Sequence, residues 1–526
     1  MALLVCGGVS LTLIHAPAAE RPNIIFIMTD DHASHALSCY GSKVNQTPNM
    51  DRIASGGVRF ANAFVTNSIC SPSRATLLTG KYSHLNGVPV FNRFDGSQQT
   101  VAKLLQAAGY HTGMVGKWHL GSDPTGFDRW ITLPGQGAYR DPRFITSHGT
   151  LNIAGYVSDV ITDLGIRLIE TRPADKPFFL MLHHKAPHRS WEPDDKNRAL
   201  FRDRVIPEPE TFADDYATRS AALPENRQTV AHDLTRFDLK LTPPAELATP
   251  QERQQWLNEK PVRVDLPQSD GTVRTLTGDA LTHWKYQRYM QDYLACVQGV
   301  DDNIGRLLDR LDQTGLAKNT VIFYTSDNGF FLGDHGLYDK RFMYEASLRV
   351  PLLVRAPGLT AAGSVSERMV LNTDFAPTFL DLAGLPVPAD MQGRSLKPLL
   401  AGTPPDNWRS SFYYRYYHDP GDHNTRAHLG LRTETEKLIH YWKKDVWEYF
   451  DLATDPNELR NRIDDPAAQP RIAALREEIV RQRKELHDDN QFADSIPFEG
   501  VGAIAPNTPA LGRKTVAEAI GEAAGK

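Results

Sequence analysis

The sequence predicts an α/β protein built on a doubly wound, largely parallel sheet. Three continuous apolar runs carry this prediction: Asn23-Ile24-Ile25-Phe26-Ile27-Met28, Phe178-Phe179-Leu180-Met181-Leu182 and Val321-Ile322-Phe323-Tyr324. Uninterrupted apolar runs of this length are strands buried on both faces, as in parallel sheets. Each run ends in polar residues, namely Thr29-Asp30-Asp31, His183-His184 and Thr325-Ser326-Asp327-Asn328. Open α/β sheets place ligands at such strand ends. Helical stripes separate the runs. Val101, Leu104, Leu105 and Ala108 share one helical face. Val297, Val300, Ile304, Leu307, Leu308 and Leu311 form a longer stripe, stopped by Gly315.

Other elements follow in chain order. Met1 to Ala18 is apolar and uncharged and ends in Ala16-Pro17-Ala18, the pattern of a cleaved signal peptide, so residues 1–18 are expected to direct export to the periplasm or medium. No later stretch is long and apolar enough to span a bilayer, which excludes stable membrane insertion. The region 193–284 is rich in Pro, Asp, Glu and Arg with weak periodicity, and reads as a surface insertion covering one side of the cleft. Residues 20–404 are expected to form the main domain. After Pro404, aromatic residues crowd the chain, and Leu429–Arg432 with Lys437–Trp442 reads as a hairpin across Thr433-Glu434. Ile472, Leu475, Ile479 and Leu486 mark a helix. Residues 405–487 therefore read as a small antiparallel sheet with one helix, and 488–526 as a tail.

Composition narrows the function. The 526 residues are 41% hydrophobic and 23% charged, as in soluble globular enzymes. A net charge of −5 without a basic run argues against nucleic acid and anionic membrane surfaces. After the leader, Cys39, Cys70 and Cys296 remain, too few for a disulfide framework.

The chemistry-bearing groups sit at predictable places. Asp30, Asp31, Asp327 and Asn328 follow two buried strands and can meet on one sheet edge. Carboxylates packed together repel unless a cation holds them, and all-oxygen ligands suit Ca²⁺ or Mg²⁺ rather than zinc. Cys70-Ser71-Pro72-Ser73-Arg74, followed by Thr79-Gly80, starts a helix, because Pro72 suits its first turn. Position 70 would then lie where amide donors attract an anion, and Arg74 can supply a bidentate fork. Gly116-Lys117-Trp118-His119 offers a point charge and a titratable ring. In His183-His184-Lys185-Ala186-Pro187-His188, His188 reads as a catalytic acid and His184 as a substrate contact, with no cysteine pair to suggest zinc. Gly333-Asp334-His335-Gly336 and Lys340 complete the set, Asp334 and His335 as partners for sugar hydroxyls and Lys340 for the ester oxygen.

The Cys70 motif with its spaced Thr-Gly resembles the signature of type I sulfatases, in the alkaline-phosphatase superfamily. The resemblance runs from about Arg21 to Leu459 and includes Tyr449-Phe450-Asp451-Leu452. It implies an alkaline-phosphatase-like large mixed sheet flanked by helices, plus a smaller C-terminal domain. It also implies a maturation enzyme that oxidises Cys70 to formylglycine, whose hydrated aldehyde attacks the sulfur of a sulfate ester. Ca²⁺, in preference to Mg²⁺, would be held by Asp30, Asp31, Asp327, Asn328 and the modified Cys70. Arg74, Lys117, His119, His188 and Lys340 match the sulfate pocket.

Leu133-Pro134-Gly135-Gln136-Gly137 and Lys185-Ala186-Pro187-His188-Arg189-Ser190-Trp191 resemble bacterial N-acetylglucosamine-6-sulfatases and mucin-desulfating sulfatases. A sulfated glycan, most specifically one bearing 6-sulfated N-acetylglucosamine, is the substrate this implies. The alternatives are another sulfated sugar, a phosphate or phosphonate ester, or glycan binding without turnover by an unmodified Cys70.

Overall fold

The computed structural model describes residues 21–502, 504 and 508–523; the expected signal segment lies outside them. An 11-stranded sheet forms the body. Its centre is parallel. Strand β1 (Asn23–Thr29) lies between β4 (Thr320–Ser326) and β3 (Phe178–His183), and β3 pairs with β2 (His111–Lys117). Antiparallel pairings flank this centre, Leu352–Arg355 on β4 and Arg143–Thr146 on Arg129–Leu133. The result is the expected large mixed sheet. Helices cover both faces.

The strand residues alternate between two cores, as a period of two requires. Ile25, Ile27, Leu180, Leu182 and Ile322 enter one core, under the helices Val157–Glu170 and Gly278–Gln313. Ile24, Phe26, Phe179, Met181 and Phe323 enter the other, under α1 (Cys70–Thr79) and the Phe375–Leu382 helix. Register then aligns the strand ends. Thr29 lies opposite Ser326 and Met28 opposite His183, so the polar residues that follow all emerge at one edge.

The small domain is a four-stranded antiparallel sheet with one helix, as expected. Its aromatic residues are packing residues. Phe412, Tyr414, Tyr416 and Phe450 face the body, while Tyr413, Leu431 and Tyr449 face the Gln469–Glu485 helix with Ile472, Leu475 and Ile479. The loop after Tyr416 carries Asp422 and His423 back toward the main sheet.

Two segments differ from the pattern read in the sequence. The 36-residue Gly278–Gln313 helix begins inside the expected insertion. Residues beyond 487 return to the body. Ala510–Arg513 joins the sheet edge at Gly149–Asn152, and Ala519, Ile520 and Ala523 are buried in the first core. A composition rich in Ala and Gly reads as a tail, yet those small side chains let the chain pack closely on the Val157–Glu170 helix.

Candidate active site

Three strand ends and one helix start build a cavity of about 370 Å³. Cys70 opens α1, where Ile69 is extended and Gly80 ends the helix at φ 66°. All ten helix residues are buried, so Cys70 is held rigidly at the cavity wall. Burial pushes its thiol well above the usual range. The unmodified side chain is therefore a poor thiolate nucleophile.

The acidic residues meet as their strand positions suggest. Asp30, Asp31, Asp327 and Cys70 each place one ligand atom within 4.8 Å of the others. The Asp31 amide donates to Asp327 Oδ1 at 3.2 Å, which ties the ends of β1 and β4 together. Cations surround the carboxylates. Lys117 pairs with Asp30 and Lys340 with Asp31. Arg74 donates Nε and Nη2 to Asp327 Oδ2, at 3.0 and 2.7 Å. Burial works to raise the Asp30 pKa, but Lys117, His188 and Arg74 outweigh it and hold the group well below the carboxylate range. Asp327 is pushed up to about 7 by burial and by Asp30.

A hard cation fits this cluster. Asn328 donates Nδ2 to Asp31 Oδ1 at 2.6 Å, while its Oδ1 is buried without a donor among the described residues. An orphaned acceptor beside three carboxylates is satisfied by an oxygen-preferring ion.

His119 and His188 also line the cavity. The His119 ring packs on Phe91, with centroids 5.6 Å apart. His188 puts Nδ1 2.6 Å from the Arg189 carbonyl and Nε2 3.7 Å from Asp31 Oδ2. Asp31, His119, Asp339, Arg341 and His423 all have positive φ. Such backbone strain clusters where surrounding structure over-determines a site.

Three residues expected to contact substrate are not brought to the cavity. His184 lies just past the end of β3 and is fully buried, with both ring nitrogens unpartnered among the described residues. Asp334 accepts from the Leu332 amide at 2.8 Å and faces His35 at 3.3 Å. His335 is buried, with Nδ1 2.8 Å from Asp214. The turn that looked free in the sequence is occupied by structural partners from remote segments.

The far wall is formed by residues to which the sequence reading assigned no role. Arg341 Nη1 lies 2.6 Å from Asp339, and Nη2 lies 3.0 Å from Asp422. His423 Nε2 lies 2.8 Å from Asp339. Gln136 accepts from Lys117 Nζ at 2.5 Å. Asp339 and Arg341 flank Lys340 in the chain, a usable signal, but nothing local marks Asp422 or His423.

Comparison with known proteins agrees with this geometry. The sulfatase family model matches residues 22–385, and that for N-sulphoglucosamine sulphohydrolase, C-terminal, matches 333–485. The chain is 45% identical over 533 residues to an N-acetylglucosamine-6-O-sulfatase of Bacteroides thetaiotaomicron, spanning 96% of this chain and 94% of that one. It is 28% identical over 443 residues to the Homo sapiens N-acetylglucosamine-6-sulfatase, spanning 79% and 70%. A protein solved in complex with its substrate D-glucosamine-2-N,6-O-disulfate aligns with a TM-score of 0.84 at 44% identity, over 90% of this chain and 100% of that one. The fold is shared with the phosphonate monoester hydrolase of Agrobacterium radiobacter, at a TM-score of 0.65 and 24% identity, over 89% and 96% of the two chains. Since the sulfatase model matches well over half of the chain, across the sheet body, and a near end-to-end relative is 45% identical, the chain belongs to the sulfatase family, the hydrolases of sulfate esters.

Proposed function

We propose that this sulfatase removes the 6-O-sulfate of N-acetylglucosamine in mucin or glycosaminoglycan chains, as an exported protein. The observation that carries the specificity is the near end-to-end relationship to an N-acetylglucosamine-6-O-sulfatase. The relative solved with a 6-sulfated glucosamine supports it.

In this reading a maturation enzyme converts Cys70 to formylglycine. The hydrated aldehyde supplies the nucleophilic hydroxyl, and Ca²⁺ (Mg²⁺ second) at Asp30, Asp31, Asp327, Asn328 and position 70 supplies positive charge. The remaining work falls to this chain's own side chains. Lys117, Arg74 and Lys340 offset charge on the sulfuryl oxygens. His188, protonated on both ring nitrogens with its Nδ1–H held by the Arg189 carbonyl, donates the Nε2 proton to the departing sugar oxygen. His119 takes up the proton given up as sulfate leaves. Asp339, Arg341 and His423 face the sugar and offer its hydroxyls both donors and acceptors.

The test is sulfate release from N-acetylglucosamine-6-sulfate, galactose-6-sulfate and an aryl phosphate, with position 70 read by peptide mass spectrometry. Selective turnover of the first by protein carrying the aldehyde is expected. Turnover of galactose-6-sulfate alone would overturn the sugar specificity. Faster turnover of the phosphate would favour the phosphate-type reading.

A further inference from the structure

We propose that Asp238, contributed by the 193–284 region, is a positioning residue that decides which nitrogen of His188 faces the substrate. The proposal rests on the reading of His188 as proton donor. A carbonyl oxygen only accepts, so the 2.6 Å contact from His188 Nδ1 to the Arg189 carbonyl keeps one hydrogen on Nδ1, and the proton available for transfer is the second one, carried on Nε2 in the charged ring. Nε2 is then the nitrogen on the side of Asp31. Turning the ring over would exchange the two nitrogens, and a fixed Arg189 backbone is what opposes this.

That backbone is held from two sides. From the sheet body, Tyr139 Oη donates to the His188 carbonyl at 2.5 Å, and Lys185 Nζ lies 3.4 Å from the Arg189 carbonyl. From the insertion, Asp238 takes the whole Arg189 fork, Nε at 2.7 Å and Nη2 at 2.5 Å. Lys240 Nζ donates to the neighbouring Ser190 carbonyl at 2.5 Å. Asp238 is itself anchored, because Thr235 donates its amide and hydroxyl to Oδ2 at 2.8 and 2.7 Å.

Asp238 does not line the cavity, and its side chain is wholly buried. A carboxylate buried to that degree is stable only with its partner in place. Here the partner is the residue whose carbonyl orients His188. The insertion thus reaches the reaction centre through one ion pair and one backbone carbonyl, much as outer partners orient ligating histidines.

The experiment compares two leaving groups. A sugar alkoxide needs a proton as it departs, whereas nitrophenolate does not. Wild type, Asp238→Asn and His188→Ala are assayed on N-acetylglucosamine-6-sulfate and on 4-nitrophenyl sulfate. Asp238→Asn is expected to lower kcat on the sugar ester about 10- to 100-fold, the usual effect of losing an orienting partner, with little change in KM. Its turnover of the aryl ester should stay close to that of the wild type. His188→Ala should show the same preference, more strongly.

Equal loss on both esters by His188→Ala would overturn the proton-donor reading. Selective loss by His188→Ala with equal losses by Asp238→Asn would overturn the positioning role alone. Thr235→Val, which removes the hydroxyl that donates to Asp238 Oδ2 and accepts from the Asp238 amide, replaces Asp238→Asn if that variant does not fold. Independently of turnover, a crystal structure of the variant should show His188 Nδ1 released from the Arg189 carbonyl. An unchanged contact would overturn the proposal.

Discussion

Arg74 places two nitrogens on a single oxygen of Asp327, leaving Asp327 Oδ1 to accept from the Asp31 amide. One guanidinium thereby joins the helix that begins at Cys70 to the ends of β1 and β4. Burial and Asp30 push the Asp327 pKa up to about 7, against the pull of Arg74.

Arg74→Lys keeps the charge but loses the fork. It is expected to lower kcat/KM for sulfate release by about 100-fold or more, the scale seen when one preorganised donor is removed. The content of bound divalent metal, measured by mass spectrometry, should fall with it. Wild-type kinetics in this variant would show that charge alone suffices.

Chelation should inactivate the protein and lower its melting temperature. A ligand present at about 100 times its Kd stabilises a fold by about 2.7 kcal/mol. Melting curves with EDTA, then with added Ca²⁺ or Mg²⁺, measure this. Recovery is expected to be fuller with Ca²⁺. An unchanged curve after complete chelation would remove the cation from Asp30, Asp31, Asp327 and Asn328.

The far wall should act on sugar binding. Asp339→Asn and His423→Ala each disrupt the partly buried His423–Asp339 hydrogen bond, and lost partners of this kind cost about 1–3 kcal/mol. A rise of about tenfold in KM for N-acetylglucosamine-6-sulfate is expected. Turnover of 4-nitrophenyl sulfate, which lacks the sugar hydroxyls, should change far less. Equal losses on both substrates would assign the wall to structure only.

Asp488 anchors the returning C-terminal segment. It pairs with Arg415 and accepts from Tyr413 Oη at 2.6 Å, with its side chain fully buried. Asp488→Ala should cost about 3 kcal/mol of stability, the low end for breaking a buried pair. Burial tends to raise the Asp488 pKa, but Arg415 and Tyr413 bring it below the usual value. The stabilisation is thus present above the ordinary carboxylate range and fades as pH falls through the folded value. Denaturant melts should show the gap between wild type and variant closing below about pH 4.

Local chemistry made much of the site legible. Short continuous apolar runs closed by polar residues read as buried strands, and the polar residues that close them emerge near one another once the strands lie parallel and in register in one sheet. Pro72 and Gly80 likewise marked the helix that carries Cys70. His183 and His184 show the limit. His183 ends β3 and meets the Lys117 carbonyl at 3.2 Å, while His184, one residue past the strand, is fully buried, and neither lines the cavity.

The sequence by itself determined the strand runs with their polar ends, the Cys70 helix and the sulfatase signature, because each depends on neighbours within a few positions. Only the tertiary structure decided that Asp334 and His335 are occupied by His35 and Asp214, that Asp422 and His423 complete the far wall, and that Asp238 reaches Arg189. Those outcomes depend on which distant segments pack together. Burial then requires each polar group to take whatever partner the fold brings within reach.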